Sequence, residues 1–223
     1  MISSMTSTPH DEVQLLRAEI AAAAARMVAQ DGADYNSAKR KAARQILGEG
    51  NSNLSLLPDN AQIEAEVRLY HALFHADSQP AHLFRLRTLA VDIMEGLEKF
   101  HPFLTGAVLN GTAGSHDDIH LQLFADSAKE VEIFLLNRNI QIDISESPHF
   151  KGPRYDPVET VSFLWHKEGV HCALYEMDDL RGAVKSRGDG KILRADLPAV
   201  RALLISSTHD SSSPDHPTDA PSP

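Results

Sequence analysis

Cysteine is nearly absent. Cys172 is the single cysteine in 223 residues, which excludes an intramolecular disulfide framework and any cysteine-rich zinc site and fits a reducing compartment. Long apolar runs are missing too. The nearest approach, AEIAAAAARMVA, is interrupted by Glu19 and Arg26. It falls short of the roughly 18 residues needed for a spanning helix and lacks the basic start and cleavage site of a secretory signal. The chain therefore reads as cytoplasmic, with no membrane partner. Basic charge is scarce as well: 21 Lys and Arg against 31 Asp and Glu leave a formal charge of −10, so phosphate repulsion disfavours nucleic acid as a partner. The 12 histidines are scattered without an H-E-x-x-H or similar pair, and a His-rich metal centre is not supported.

What is present is a globular composition, with 42% hydrophobic residues in a chain long enough to bury one sizeable core and carry an extension. Residues 1–10 are small and polar, and residues 206–223 are rich in Ser, Pro and Asp; both ends are expected to be disordered. Residues 11–100 read as about four helices. Leu15, Leu16, Ile20, Ala24, Met27 and Val28 recur at helical spacing up to Gly32. NSAKRKAARQILGEG follows, with Asn36 or Ser37 as N-cap and Gly48 as C-cap. A third helix starts at Asp59 or Asn60, with Ile63, Val67, Tyr70 and Phe74 on one stripe. The fourth runs from about Pro80 to Lys99 on Leu83, Leu86, Leu89, Ala90, Ile93, Met94 and Leu97.

After His101-Pro102 the period changes. FLTGAVL reads as a buried strand, DIHLQLFA as a strand with Ile119, Leu121 and Leu123 inward, and SAKEVEIFLLNRN as a helix capped by Asp126 or Ser127. IQIDISE alternates with Ile140, Ile142 and Ile144 toward the core. TVSFLWHKEGVHCALYEM reads as a hairpin turning at Glu168-Gly169, and ADLPAVRALL as a short helix begun by Asp196. The expectation is an α+β fold: a helical segment over 11–100, then a mixed sheet with flanking helices over 101–205.

The period of two sorts the polar residues. If Ile119, Leu121 and Leu123 face the core, Asp118, His120 and Gln122 share the opposite face, while Asp117 points away from it. The same rule puts Gln141, Asp143 and Ser145 opposite the isoleucines. Were these two strands neighbours, Asp118, His120 and Asp143 would converge. The turn before them, NGTAGS, has two glycines that permit close backbone approach and hydroxyls at Thr112 and Ser115, the equipment of a loop that receives a phosphate.

On these residues the stretch LNGTAGSHDDIHLQLF with QIDIS resembles the nucleotidyltransferase superfamily, the polymerase-β-like fold, and its minimal bacterial members. The resemblance covers residues 103–146 or so. It implies Gly111 and Thr112 at that family's Gly-Ser position, Asp118 and His120 on its Asp-x-Asp, and Asp143 as its third carboxylate. It further implies a nucleoside triphosphate as ligand and a divalent metal, Mg or Mn, held by Asp118, His120 and Asp143, with Gly111, Thr112 and Ser115 on the nucleotide. His120 departs from the pattern, because imidazole is a poorer partner for magnesium than a carboxylate oxygen. An imidazole there would serve as a ligand or, titrating near neutrality, as a general base.

Two readings follow: transfer of a nucleotidyl group to an unknown acceptor, or a catalytically degenerate fold of the same kind that binds nucleotide or docks a protein partner through its helical half. Against both stands an ordinary Gly-containing hairpin. Lys39, Arg40, Lys41 and Arg44 form a basic helix face that reads as solvated. His166 and His171, on the two arms of the expected hairpin, read as satisfied sheet histidines, Cys172 as a small buried residue and Trp165 as an anchor.

Overall fold

The computed structural model describes residues 9–48, 56–184 and 193–210. The chain forms two compact units, Met1–Leu83 with Asn110–Asp117, and Phe84–Leu109 with Asp118–Pro223. The division thus runs inside the fourth helix, and the NGTAGS turn goes with the helical unit. Of the expected disordered ends, residues 1–8 and 211–223 lie outside the described residues, whereas 9–10 and 206–210 are helical.

The first unit is built on α1 (Pro9–Asp31), α2 (Tyr35–Leu47) and α3 (Asn60–Phe74), with the first turn of α4 (Gln79–Gly96). Ile20, Ala24 and Val28 of α1 pack with Ala38 and Ala42 of α2 and Ile63 and Val67 of α3, and the alanines allow close axial approach. Asp34, not Asn36 or Ser37, caps α2 by accepting from the amides of both. Asp59 caps α3 through a capping box with Gln62. The inward stripe of α3 ends on His71, which is buried, while Phe74 stays 65% exposed.

The second unit is α+β, with one mixed five-stranded sheet among the described residues. A 3-10 turn (Glu98–Phe100) leads to β1 (Phe103–Thr105), α5 (Gly106–Asn110), β2 (Ile119–Ala125), α6 (Ala128–Leu136), β3 (Asp143–Ser147), β4 (Val158–Trp165), β5 (Glu168–Glu176), α7 (Met177–Val184) and α8 (Leu197–Asp210). FLTGAVL is therefore not one strand. Gly106, at φ 71, takes a left-handed conformation that ends β1 and opens the helical turn of α5. Buried Arg87 then donates to the carbonyls of Val108 and Leu109. Ser127 caps α6 and Asp196 caps α8, as the sequence predicts.

The strand order is β1-β2-β5-β4-β3, with β2 and β5 parallel and the other pairs antiparallel. The β4–β5 hairpin turns at His166-Lys167, both at positive φ, which gives the mirror-image turn that matches strand twist; the expected turn at Glu168-Gly169 is two residues late. Ile119, Leu121, Leu123, Val161, Phe163, Val170, Cys172 and Leu174 bury one face, and α6 packs against β2. β3 overturns its expected burial. It is an edge strand, Ile144 is 52% exposed, and a period of two without a covering layer places no core.

Candidate functional site

The expected site residues fall into two groups, one in each unit. In the first unit the turn Asn110–Asp117 is held by side chains at the carbonyls from Asn110 to Gly114. Arg68 donates to Asn110 O, Gln79 to Gly111 O and Ala113 O, His71 to Thr112 O at 3.1 Å, and His82 pairs with Gly114 O at 3.0 Å. Two of its amides also meet side-chain oxygens. Asn110 Oδ1 accepts from Thr112 N at 3.0 Å and from Thr112 Oγ1 at 2.6 Å, and Asp117 Oδ2 accepts from Gly114 N at 2.8 Å. Gly111 sits at φ 84, where a side chain would be strained.

In this geometry several donors of the expected phosphate loop are already engaged. Thr112 is 1% exposed and its hydroxyl already meets Asn110 and the Tyr35 phenol, 3.1 Å away. Burial pushes the Tyr35 phenol up. Gly111 and Thr112 therefore shape a closed turn, and of the three proposed nucleotide contacts only Ser115 is exposed. Ser115 lines a cavity of about 240 Å3 with His71, His75, Gln79 and His82. Burial holds His71 below its ordinary value, and its Nδ1 meets no hydrogen-bond partner among the described residues. Asp117 is the staple of the turn rather than a bystander.

In the second unit the strand registers line up one row across the sheet. Thr105 pairs with His120, His120 with His171, His171 with Ser162, and Ser162 with Asp143. Residues in register project to the same face, so His120 and Asp143 do share a face as expected. They do not converge: β5 and β4 lie between their strands, and three strand spacings amount to about 14 Å. The residue beside His120 is His171, whose ring stacks on it with centroids 4.9 Å apart.

Asp118 stands one residue before β2 and turns to the same histidine. Its Oδ2 lies 3.0 Å from His171 Nε2, and His171 Nδ1 lies 2.8 Å from Ser162 Oγ. The side chains of His171 and Asp118 are 34% and 45% exposed, so this part of the face is open. Glycine at 169 makes room for the carboxylate, since a Cβ there would fall 2.4 Å from Asp118. At the opposite end of β2 and β5 a separate cavity of about 620 Å3 is lined by Asp126, His149, Tyr155, Glu159 and Asp179, among others; the Glu132 carboxylate beside Glu159 holds the Glu159 carboxyl above the usual range. None of the expected site residues lines it.

Comparison with family models, curated proteins and solved structures returns no match.

The proposed ligand set for a divalent ion, Asp118, His120 and Asp143, is not gathered in one place, and among the described residues no group of three or more His, Cys, Asp or Glu is placed to hold a metal ion. Asp118 is already engaged by His171. The arrangement fits proton transfer and hydrogen bonding better than a prebuilt two-ion cage. His171 and Ser162 were legible as chemistry only with the right hairpin register. A turn at His166-Lys167 pairs them, whereas a turn at Glu168-Gly169 sets Ser162 opposite Tyr175. His166 stays in the turn and does not face His171. Trp165 anchors through Nε1 to Asp92 at 2.8 Å, and burial pushes the Cys172 thiol up to about 12.

Proposed function

We propose that the chain is a nucleotidyltransferase-like protein that receives the phosphates of a nucleoside triphosphate on the open face of its sheet, at His120 beside the Asp118–His171 pair, and passes a nucleotidyl group to an acceptor. The observation that carries this reading is the run of β1, the short α5, a glycine-bearing turn, β2 preceded by Asp118 and carrying His120, and α6, with His120 exposed on the open face. An imidazole N–H at His120 is a donor for phosphate oxygens, whereas both ring nitrogens of His171 already meet Asp118 and Ser162. A divalent ion would have to arrive on the phosphates, since the protein residues do not assemble a cage for it, and no step is assigned to it.

The second reading is the degenerate form, in which the same fold binds nucleotide or docks a partner without transfer. Two observations favour it. The amides of Thr112 and Gly114 are consumed inside their own turn, and α3 exposes Leu69, Leu73 and Phe74 at 52%, 66% and 65%, apolar surface of the kind that marks interaction sites.

Isothermal titration with ATP, GTP, CTP and UTP, first with magnesium and then with manganese, separates the two when pyrophosphate release is measured alongside. Heat with pyrophosphate release supports transfer. Heat without it supports the binding module, and the absence of heat in every combination sinks both nucleotide readings. A His120→Asp variant that gains magnesium-dependent release identifies a transfer site altered at that one position.

A further inference from the structure

We infer that Ser162 is a nucleophile activated by His171, and that the open sheet face carries a site for cleaving carboxylic esters. This rests on the hydrogen-bond chain in the second unit and not on nucleotide binding.

The chain has one consistent direction. An ionised carboxylate only accepts, so Asp118 Oδ2, 3.0 Å away, assigns the proton to His171 Nε2. Nδ1 is then bare and accepts from the Ser162 hydroxyl at 2.8 Å. Nucleophile, base and orienting group are thereby within reach of one another, the arrangement that raises a weak serine hydroxyl to a useful nucleophile. The ring is turned over relative to the usual serine-hydrolase triad, in which Nε2 faces the serine. The relay works from either nitrogen, because each has one lone pair when bare and one N–H when protonated.

The support is rigid. Ser162 and His171 are direct partners in the β4–β5 ladder, and β5 is flanked on its other side by β2, so both side chains rest on paired strands rather than loops. Ring stacking with His120 limits rotation of the His171 imidazole, and the missing Cβ of Gly169 admits the carboxylate of Asp118. Part of His171 and Asp118 faces solvent, which lets an ester reach the serine.

The step balances within these groups. Ser162 Oγ bonds to the ester carbonyl carbon as its proton passes to His171 Nδ1. The carbon–oxygen bond to the alcohol breaks, and the alkoxide leaves with that proton. Water then attacks the acyl-serine, giving its proton to Nδ1, and the acid departs as Ser162 recovers the proton. Asp118 is a positioning residue that holds the tautomer and offsets the imidazolium charge.

The test is labelling of the full chain with a fluorophosphonate probe, read by peptide mass spectrometry, with p-nitrophenyl acetate turnover measured in parallel. The expected result is a stable adduct on Ser162, absent in Ser162→Ala. In His171→Ala the labelling rate falls about 100-fold or more, the scale of a lost general base, and added imidazole restores part of it. Asp118→Asn lowers the rate and Asp118→Glu recovers it in part, which loss of packing would not do. Circular dichroism establishes that each variant is folded. An unlabelled Ser162 in the folded wild type, or equal labelling rates in wild type and His171→Ala, overturns the inference.

Discussion

The turn Asn110–Asp117 and the polar row on the sheet carry the residues a reader of the sequence would group into one site, yet the two are built on opposite principles. In the turn, Thr112 is 1% exposed and the carbonyls from Asn110 to Gly114 are capped by side chains. In the row, His120 is exposed and His171 keeps a third of its side chain in solvent. The difference teaches that a glycine-rich, hydroxyl-bearing turn is identified as a ligand site only by where its donors go. Here the Thr112 and Gly114 amides go to Asn110 and Asp117.

The largest expected effect falls on the turn. Thr112→Val removes the hydroxyl that meets Asn110 Oδ1 and the Tyr35 phenol, while Asn110 Oδ1 keeps the Thr112 amide; urea denaturation is expected to show a loss of about 1–3 kcal/mol, the cost of a part-buried polar group left short of a partner. A neutral result would mean the turn is open. Gly169→Ala is the matching blow to the row. The added Cβ collides with the Asp118 carboxylate, a 45% exposed side chain that can swing aside, so the stability cost is expected to stay below about 1 kcal/mol while the Asp118–His171 bond breaks, visible as a shifted His171 imidazole resonance.

Acid separates the regions next. Burial holds His71 below 6.5, its ordinary value, against the opposing pull of its Thr112 bond and Asp117, with His75 adding repulsion. The unfolded chain takes up a proton as the pH falls through 6.5 and the folded chain does so only further down, so unfolding binds protons and stability falls with pH in that window. Melting temperature measured between pH 7.5 and 5 should decline, and His71→Gln should flatten this component of the slope. The smallest effect is expected at His120→Ala, where an exposed side chain changes stability by less than about 0.5 kcal/mol. Cys172 sharpens the sidedness of β5. One residue from half-open His171, it is fully buried with its thiol pushed up to about 12. Thiol reagents should leave it unmodified until urea unfolds the chain.

Much of the fold was legible in local pattern. Period and caps located the four helices, the inward face of β2, and the starts of α3, α6 and α8, because those signals are written within a few residues. The misreadings share a cause. Ile140, Ile142 and Ile144 alternate as a core strand should, but burial of an edge strand depends on whether a layer covers it. Chain order groups Asp143 with His120 as if on adjacent strands, whereas the parallel pairing of β2 with β5 joins residues about 50 positions apart. Sequence periodicity assigns a face and not a neighbour. The closed state of the turn was equally non-local, resting on Arg68, His71, Gln79 and His82 from distant helices.

The central claim is that the chemistry belongs to the open row and not to the closed turn. Long-range 1H–15N spectra of the histidine side chains, recorded while ATP is added with manganese-free magnesium, test it directly. The account predicts that the His120 and His171 imidazoles shift together while His71 and His82 stay in place. Movement of His71 and His82 with His120 and His171 unchanged would contradict it.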